Sequence, residues 1–279
     1  MTRRRFYALP LTALCLALGA GPAFAWNMNG FLRDPGKGDF AVSYNMESYD
    51  EFWAGEMETS APPLGTVTNQ SVSTWFALGL SDQVTVFGSV PWVHTEGDGS
   101  AGFSEEGMQD VTIMGAVRLA RFGGSLSHTF VGAFGGRAPA SSYAANLPVS
   151  IGDGTTDGLL RLVYQLQVSS FYLSQQVGYD VRSHDAPNGV PLYTEAGWTF
   201  VNRYTLNGWY AKYIAEDGSD IGDPGFTFPG NQEEFDRAGG KLYVRVNDWF
   251  GATAGGFTTL AGRNTGKSTG WNLGVNASF

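Results

Sequence analysis

Apolar and polar residues alternate with a period of two through most of the chain after residue 25, which predicts strands with one greasy and one polar face. The last segment shows it most plainly. Trp271, Leu273, Val275, Ala277 and Phe279 fall on one face, and Asn272, Gly274, Asn276 and Ser278 on the other. Phe40, Val42, Tyr44 and Met46 alternate with Ala41, Ser43, Asn45 and Glu47 in the same way. Further strands are expected over 72–80, 84–93, 111–119, 126–136, 160–168, 171–181, 190–200, 204–215, 235–246 and 249–260, giving about twelve. The phase is ambiguous at 126–136, 204–215 and 249–260, so the count carries a margin of two.

The connections between these strands alternate in length. Short turns fall at 81–82, 121–125, 169–170, 202–203 and 247–248. Longer segments rich in Gly, Pro and acid lie between them, at 50–71, 94–109, 137–157, 182–189, 216–233 and 261–268. Tight turns at one end and larger loops at the other are the pattern of a transmembrane antiparallel up-and-down β-barrel. Closure has a physical cause, because lipid cannot satisfy the backbone groups of an open sheet edge. An even strand number puts both termini in the periplasm of a Gram-negative cell.

The first 25 residues read as a signal peptide. Arg3, Arg4 and Arg5 precede a short apolar run from Ala8 to Ala20, and Ala23-Phe24-Ala25 supplies a small-x-small cleavage site. That run is shorter than the roughly 20 residues a helix needs to span a bilayer. The lone Cys15 lies within it, after Leu14 where a lipoprotein signal would place a small residue. One barrel domain is expected over 26–279, located in the outer membrane.

Composition narrows the function. Without residues 1–25 the chain has 14 basic and 26 acidic residues, a net charge of −12. This speaks against a nucleic-acid partner, which calls for a basic footprint. The acids gather in the proposed external loops, as at Glu56, Glu58, Glu105, Glu106, Asp220 and Asp223. There they form a solvated face, with divalent cations bridging to lipopolysaccharide phosphates, or a field favouring cationic and neutral solutes.

Two nucleotide-like patterns lose their meaning in context. Ala261 to Ser268 nearly matches a P-loop, and Gly97 to Gly102 has dinucleotide-binding spacing, but no helix follows either to present its N-terminus to phosphate. His94, His128 and His184 are scattered, whereas a metal site or a nucleophilic triad needs convergence. The run Ser183-His184-Asp185 is the nearest approach to an omptin-like His-Asp pair. No cofactor, metal or catalytic residue is assigned.

Interior charge carries the functional reading. If Ala238, Gly240, Leu242, Val244 and Val246 face lipid, then Arg237, Lys241 and Arg245 face the lumen. Charge on the lipid face would cost about 2–4 kcal/mol at the midplane. The same logic turns Glu47, Arg118, Arg161 and Glu195 inward. A lumen lined by both signs is either a wet channel or a set of ion pairs closing a small barrel, and the channel is favoured here. On that reading Lys241→Glu leaves folding nearly intact and shifts selectivity toward cations. Phe279 ends the last strand and is expected to signal the barrel assembly machinery.

Residues 78–120 carry a resemblance to a known group. Leu-Gly-Leu-Ser-Asp-Gln-Val-Thr-Val-Phe-Gly-Ser-Val-Pro-Trp-Val is followed by a Gly-rich loop and then Gly-Met-Gln-Asp-Val-Thr-Ile-Met-Gly-Ala-Val-Arg-Leu-Ala. This is similar to the outer-membrane proteins described as belonging to a meta-cleavage pathway of phenol degradation. The match covers some 45 residues, and the C-terminal Phe fits it as well. It implies a porin-like transporter for aromatic or other apolar small molecules, and it supplies no catalytic residues.

Overall fold

The computed structural model describes residues 27–60 and 62–279, so the expected signal peptide and its cleavage site lie outside the described residues. Twelve long strands form the wall. They are β1 (Gly38–Tyr49), β4 (Val67–Gly79), β5 (Val84–Gly97), β7 (Asp110–Gly123), β8 (Leu126–Pro139) and β9 (Asp157–Val168). The other six are β10 (Phe171–Val181), β11 (Gly189–Phe200), β12 (Tyr204–Ala215), β13 (Glu234–Arg245), β14 (Phe250–Arg263) and β15 (Thr269–Ser278). Each pairs antiparallel with its sequence neighbour, and β1 closes the circle against β15 from Asp39↔Ser278 to Ser48↔Thr269. The fold is the expected all-β closed barrel of twelve strands, with no helix among the described residues.

Three short strands lie outside this circle. A hairpin of β2 (Glu51–Ala54) and β3 (Met57–Ser60) stands in the first long loop. The segment expected as a loop over 94–109 is mostly strand, since β5 runs on to Gly97 and pairs with β6 (Ser104–Met108). Its true turn is six residues, 98–103.

Side-chain direction explains the closure. Phe40, Phe76, Ile113, Phe134, Leu160, Trp198, Leu206, Leu242 and Leu273 all point outward and are exposed. In water so continuous an apolar belt would be a docking surface or an aggregation hazard, whereas in lipid it is the solvated face. Aromatic groups mark its short-turn end: Phe122 stacks on His128 and Phe130, and both of these meet Tyr164 on the next strand. The three strands of ambiguous phase each turn their odd-numbered residues inward, including Val131, Asn207 and Thr253. Two bulges reset the register, at Arg118/Ala120 and at Asp236/Arg237.

The chain before β1 is not outside the barrel. Residues 28–33 lie in the lumen, with Met28, Asn29, Leu32 and Arg33 all buried. Met28 and Leu32 pack on Ala41, Trp75, Phe87, Met114, Val131 and Leu159, which make one side of the lumen apolar.

Candidate functional site

Inside the barrel three of the buried ion pairs join expected site residues to partners on neighbouring and more distant strands. Lys241 Nζ lies 3.0 Å from Glu195 Oε2, Arg237 Nη2 lies 3.1 Å from Glu47 Oε1, and Arg161 Nη1 lies 2.5 Å from Asp180 Oδ1. The groups are desolvated, with Glu195 1% and Arg161 4% exposed. Burial of this kind needs further hydrogen bonds to offset lost hydration, and Glu195 has them. Tyr172 and Tyr193 donate their hydroxyls to it at 2.6 and 2.7 Å. Arg237 is also sandwiched by the rings of Phe235 and Phe257, at 4.8 and 5.3 Å.

The other expected site residues lie toward the short-turn end. Arg118 donates to the carbonyl of Asp82 at 2.8 Å and lines a polar vestibule of about 310 Å³ together with Arg33, Arg121 and Gln165. Arg245 is the last inward residue of β13, and its side chain reaches Tyr243. The seven residues therefore do not form one cluster. Four join in the two pairs Glu47–Arg237 and Lys241–Glu195, Arg161 pairs elsewhere, and Arg118 and Arg245 stand apart near the periplasmic mouth. Phe279 is exposed, and its backbone exchanges hydrogen bonds of 2.9 and 3.0 Å with Gly38, which fastens the barrel seam.

The inner segment inserts between these layers. Backbone N–H groups of Met28 and Gly30 donate to Gln176 and Gln165 side chains at 2.9 Å each, and the N–H of Arg33 donates to Thr85 at 2.9 Å. Asn29 reaches Glu195 at 3.4 Å, and Phe31 meets Tyr172 edge to face at 5.1 Å. Gly30 is needed by this approach, since a Cβ there would stand 2.7 Å from Gln165 Cβ. Sequence reasoning missed this segment, because 27–37 has no period-two pattern and reads as a leader to the first strand. It also missed Asp180, whose signal was its inward parity on β10 beside Gln176.

Above the Glu47–Arg237 pair is a cavity of about 250 Å³ roofed by external loops. Its walls are apolar, formed by Tyr49, Phe52, Leu64, Leu147, Val149 and Phe228. Its polar end is formed by Glu47, Thr95, Asp153, Asn231, Glu233 and Arg237. The roof is bound together from several loops. Loop 140–156 folds inward and buries Ile151 completely, with Ala144 and Ile151 N–H groups donating to Glu105 at 2.5 and 3.2 Å. Asn264, in the left-handed region at φ 50°, accepts from the Gly55 and Ile221 N–H groups at 2.7 and 3.0 Å. Its amide donates to Asp220 at 2.7 Å, and Arg263 grips the same carboxylate through two bonds of 2.7 Å. These donors hold the Asp220 carboxyl below the usual range. Burial, with Asp153 nearby, pushes the Glu233 carboxyl up to about 7.

The Ser183-His184-Asp185 run does not converge on a reacting centre. Ser183 Oγ lies 2.7 Å from His184 Nδ1, but His184 and Asp185 occupy a left-handed turn at φ 58° and 60°, and Ser183 Oγ caps the N–H of Thr156 at 2.8 Å. His128 contacts Tyr164 at 3.0 Å on the outer face, and His94 stacks on Trp92. No group of three metal-ligating side chains occurs among the described residues.

No family model matches the sequence, and no curated protein matches it. Solved structures do. An outer membrane channel from Pseudomonas putida F1 superposes with a TM-score of 0.74 at 14% identity, covering 88% of this chain and 97% of that one. The KdgM porin gives 0.53 at 10% identity, with coverage of 86% and 99%. The translocator domain of the autotransporter NalP from Neisseria meningitidis gives 0.50 at 11%, with coverage of 88% and 90%. Fold and lipid-facing belt together define an outer-membrane β-barrel. At these identities the likeness extends to the fold.

Proposed function

We propose that this barrel is a channel that lets small solutes cross the outer membrane passively, with aromatic or other apolar molecules favoured. The observation that carries the proposal is the apolar-walled cavity inside the external end of the barrel, directly above the buried ion pairs. Sites for small molecules are concave, mostly apolar and furnished with a few placed polar groups. The resemblance over residues 78–120 supports the same solute class. On this reading Glu47, Arg118, Arg161, Glu195, Arg237, Lys241 and Arg245 line the path from cavity to vestibule, and the inner segment narrows it. The protein acts without catalysis, and its partners are outer-membrane lipid, lipopolysaccharide, the assembly machinery that reads Phe279, and the solute itself.

Planar-bilayer conductance and liposome swelling test this on the wild type and on a variant lacking residues 27–36. The wild type should conduct weakly and admit benzyl alcohol faster than a sugar of similar mass. The deletion should raise conductance several-fold. A second reading, a non-conducting structural barrel, is favoured by the pairing of the interior charges and the inserted segment. If neither form passes ions or solute, that reading replaces the channel.

A further inference from the structure

The polar end of the external cavity is unbalanced. Three carboxylates line it, against one guanidinium. Glu47 is offset by Arg237, and Asp153 by Arg182 from the neighbouring loop. Glu233 has no ion-pair partner within 4.0 Å among the described residues and accepts only from the Thr265 hydroxyl, at 2.9 Å. The same cavity is lined by polar atoms without hydrogen-bond partners: Glu47 Oε2, Thr95 Oγ1 and Asn231 Oδ1. Glu47 and Thr95 are 6% and 3% exposed, so water does not reach them freely. Buried polar atoms left unmatched are costly, and the Glu47 and Asn231 oxygens can only accept, so they call for a donor that the cavity lining does not supply.

We infer that this cavity is a binding site for a small apolar molecule with a protonated amine at one end. The ammonium group has three N–H donors and one positive charge. It matches the open acceptors and neutralises the one carboxylate that the protein does not pair. A carboxylate head would meet Glu233 and Glu47 and be repelled. The apolar body lies against Phe52, Leu147 and Phe228 of the cavity wall. Size sets a limit on that body. A cavity of roughly 150 Å³ holds benzene, so about 250 Å³ takes one ring and a short aliphatic arm. This rests on the reading that the external cavity receives apolar solutes and adds the charge of the head group.

Titration calorimetry on the folded barrel in detergent at pH 8 tests it with three probes of matched shape: 2-phenylethylammonium, 2-phenylethanol and 3-phenylpropionate. The ammonium compound should bind at least tenfold tighter than the alcohol, and the carboxylate weakest. Glu233→Gln should reduce the ammonium-to-alcohol ratio to less than threefold. Equal binding of all three probes overturns the inference and leaves the apolar cavity standing, as does an ammonium preference that survives Glu233→Gln. No binding of any probe overturns both. If Glu233→Gln does not fold, competition among the three probes on the wild type decides the question alone.

Discussion

At the scale of single residues, the contact between Lys241 and Glu195 changes what a charge reversal does. Inward parity alone makes Lys241→Glu harmless to folding. With Glu195 3.0 Å away and 1% exposed, the substitution places two carboxylates together in a site that water does not reach. Removing one partner of a buried pair costs about 3–5 kcal/mol, and a like charge adds to that. Thermal unfolding followed by the heat-dependent gel shift should therefore show Lys241→Glu strongly destabilised. Lys241→Glu combined with Glu195→Lys should recover most of the loss. Glu233 gives a prediction of a different kind. Its carboxyl is raised to about 7, against 4.5 for the ordinary group that the opened loop would carry. Between those values the closed loops hold a proton that the open ones release, so closure is favoured as pH falls from 7 toward 4.5 and is weakest above 7. Hydrogen exchange over 216–233, corrected for the intrinsic rate, should be slower at pH 5.5 than at pH 8. Glu233→Gln should remove most of that difference.

At the scale of elements, legibility followed periodicity. Every wall strand was visible, although the phase of three stayed open, because lipid on one side and the lumen on the other impose a period of two, and β15 is the plainest example. Even Arg237, Lys241 and Arg245 took their inward parity from that rule. What the rule does not show is which interior groups meet, since Glu47 and Arg237 are 190 positions apart in sequence and their approach depends on the curvature of the whole wall. Nor does it reach the inner segment, whose backbone bonds to side chains instead of to a neighbouring strand. The segment depends on Gly30, so Gly30→Val should expel it without disturbing the wall. Conductance should rise toward that of the 27–36 deletion, while the gel shift of the folded barrel is retained. The last strand makes the complementary prediction. Deleting Phe279 removes two seam hydrogen bonds to Gly38, and the yield of folded barrel recovered from membranes should fall.

At the scale of the whole molecule, the lumen is divided by chemistry along its length. A loop-roofed apolar cavity lies outside, a band of buried ion pairs follows, and a donor-rich vestibule opens at the periplasmic end. Mass spectrometry of the membrane-extracted protein should give a chain beginning at Trp26, with Arg3 to Arg5 absent. The inserted segment has a practical consequence for anyone handling the protein. Whatever is joined ahead of residue 27 is joined to a strand of chain enclosed by a continuous wall. An affinity tag or reporter placed there must either be housed in the lumen or draw the segment out with it, and a tagged preparation would then report the leak of its own handle. The β2–β3 hairpin, with Met57 75% exposed on its outer side, is the place to put a label instead.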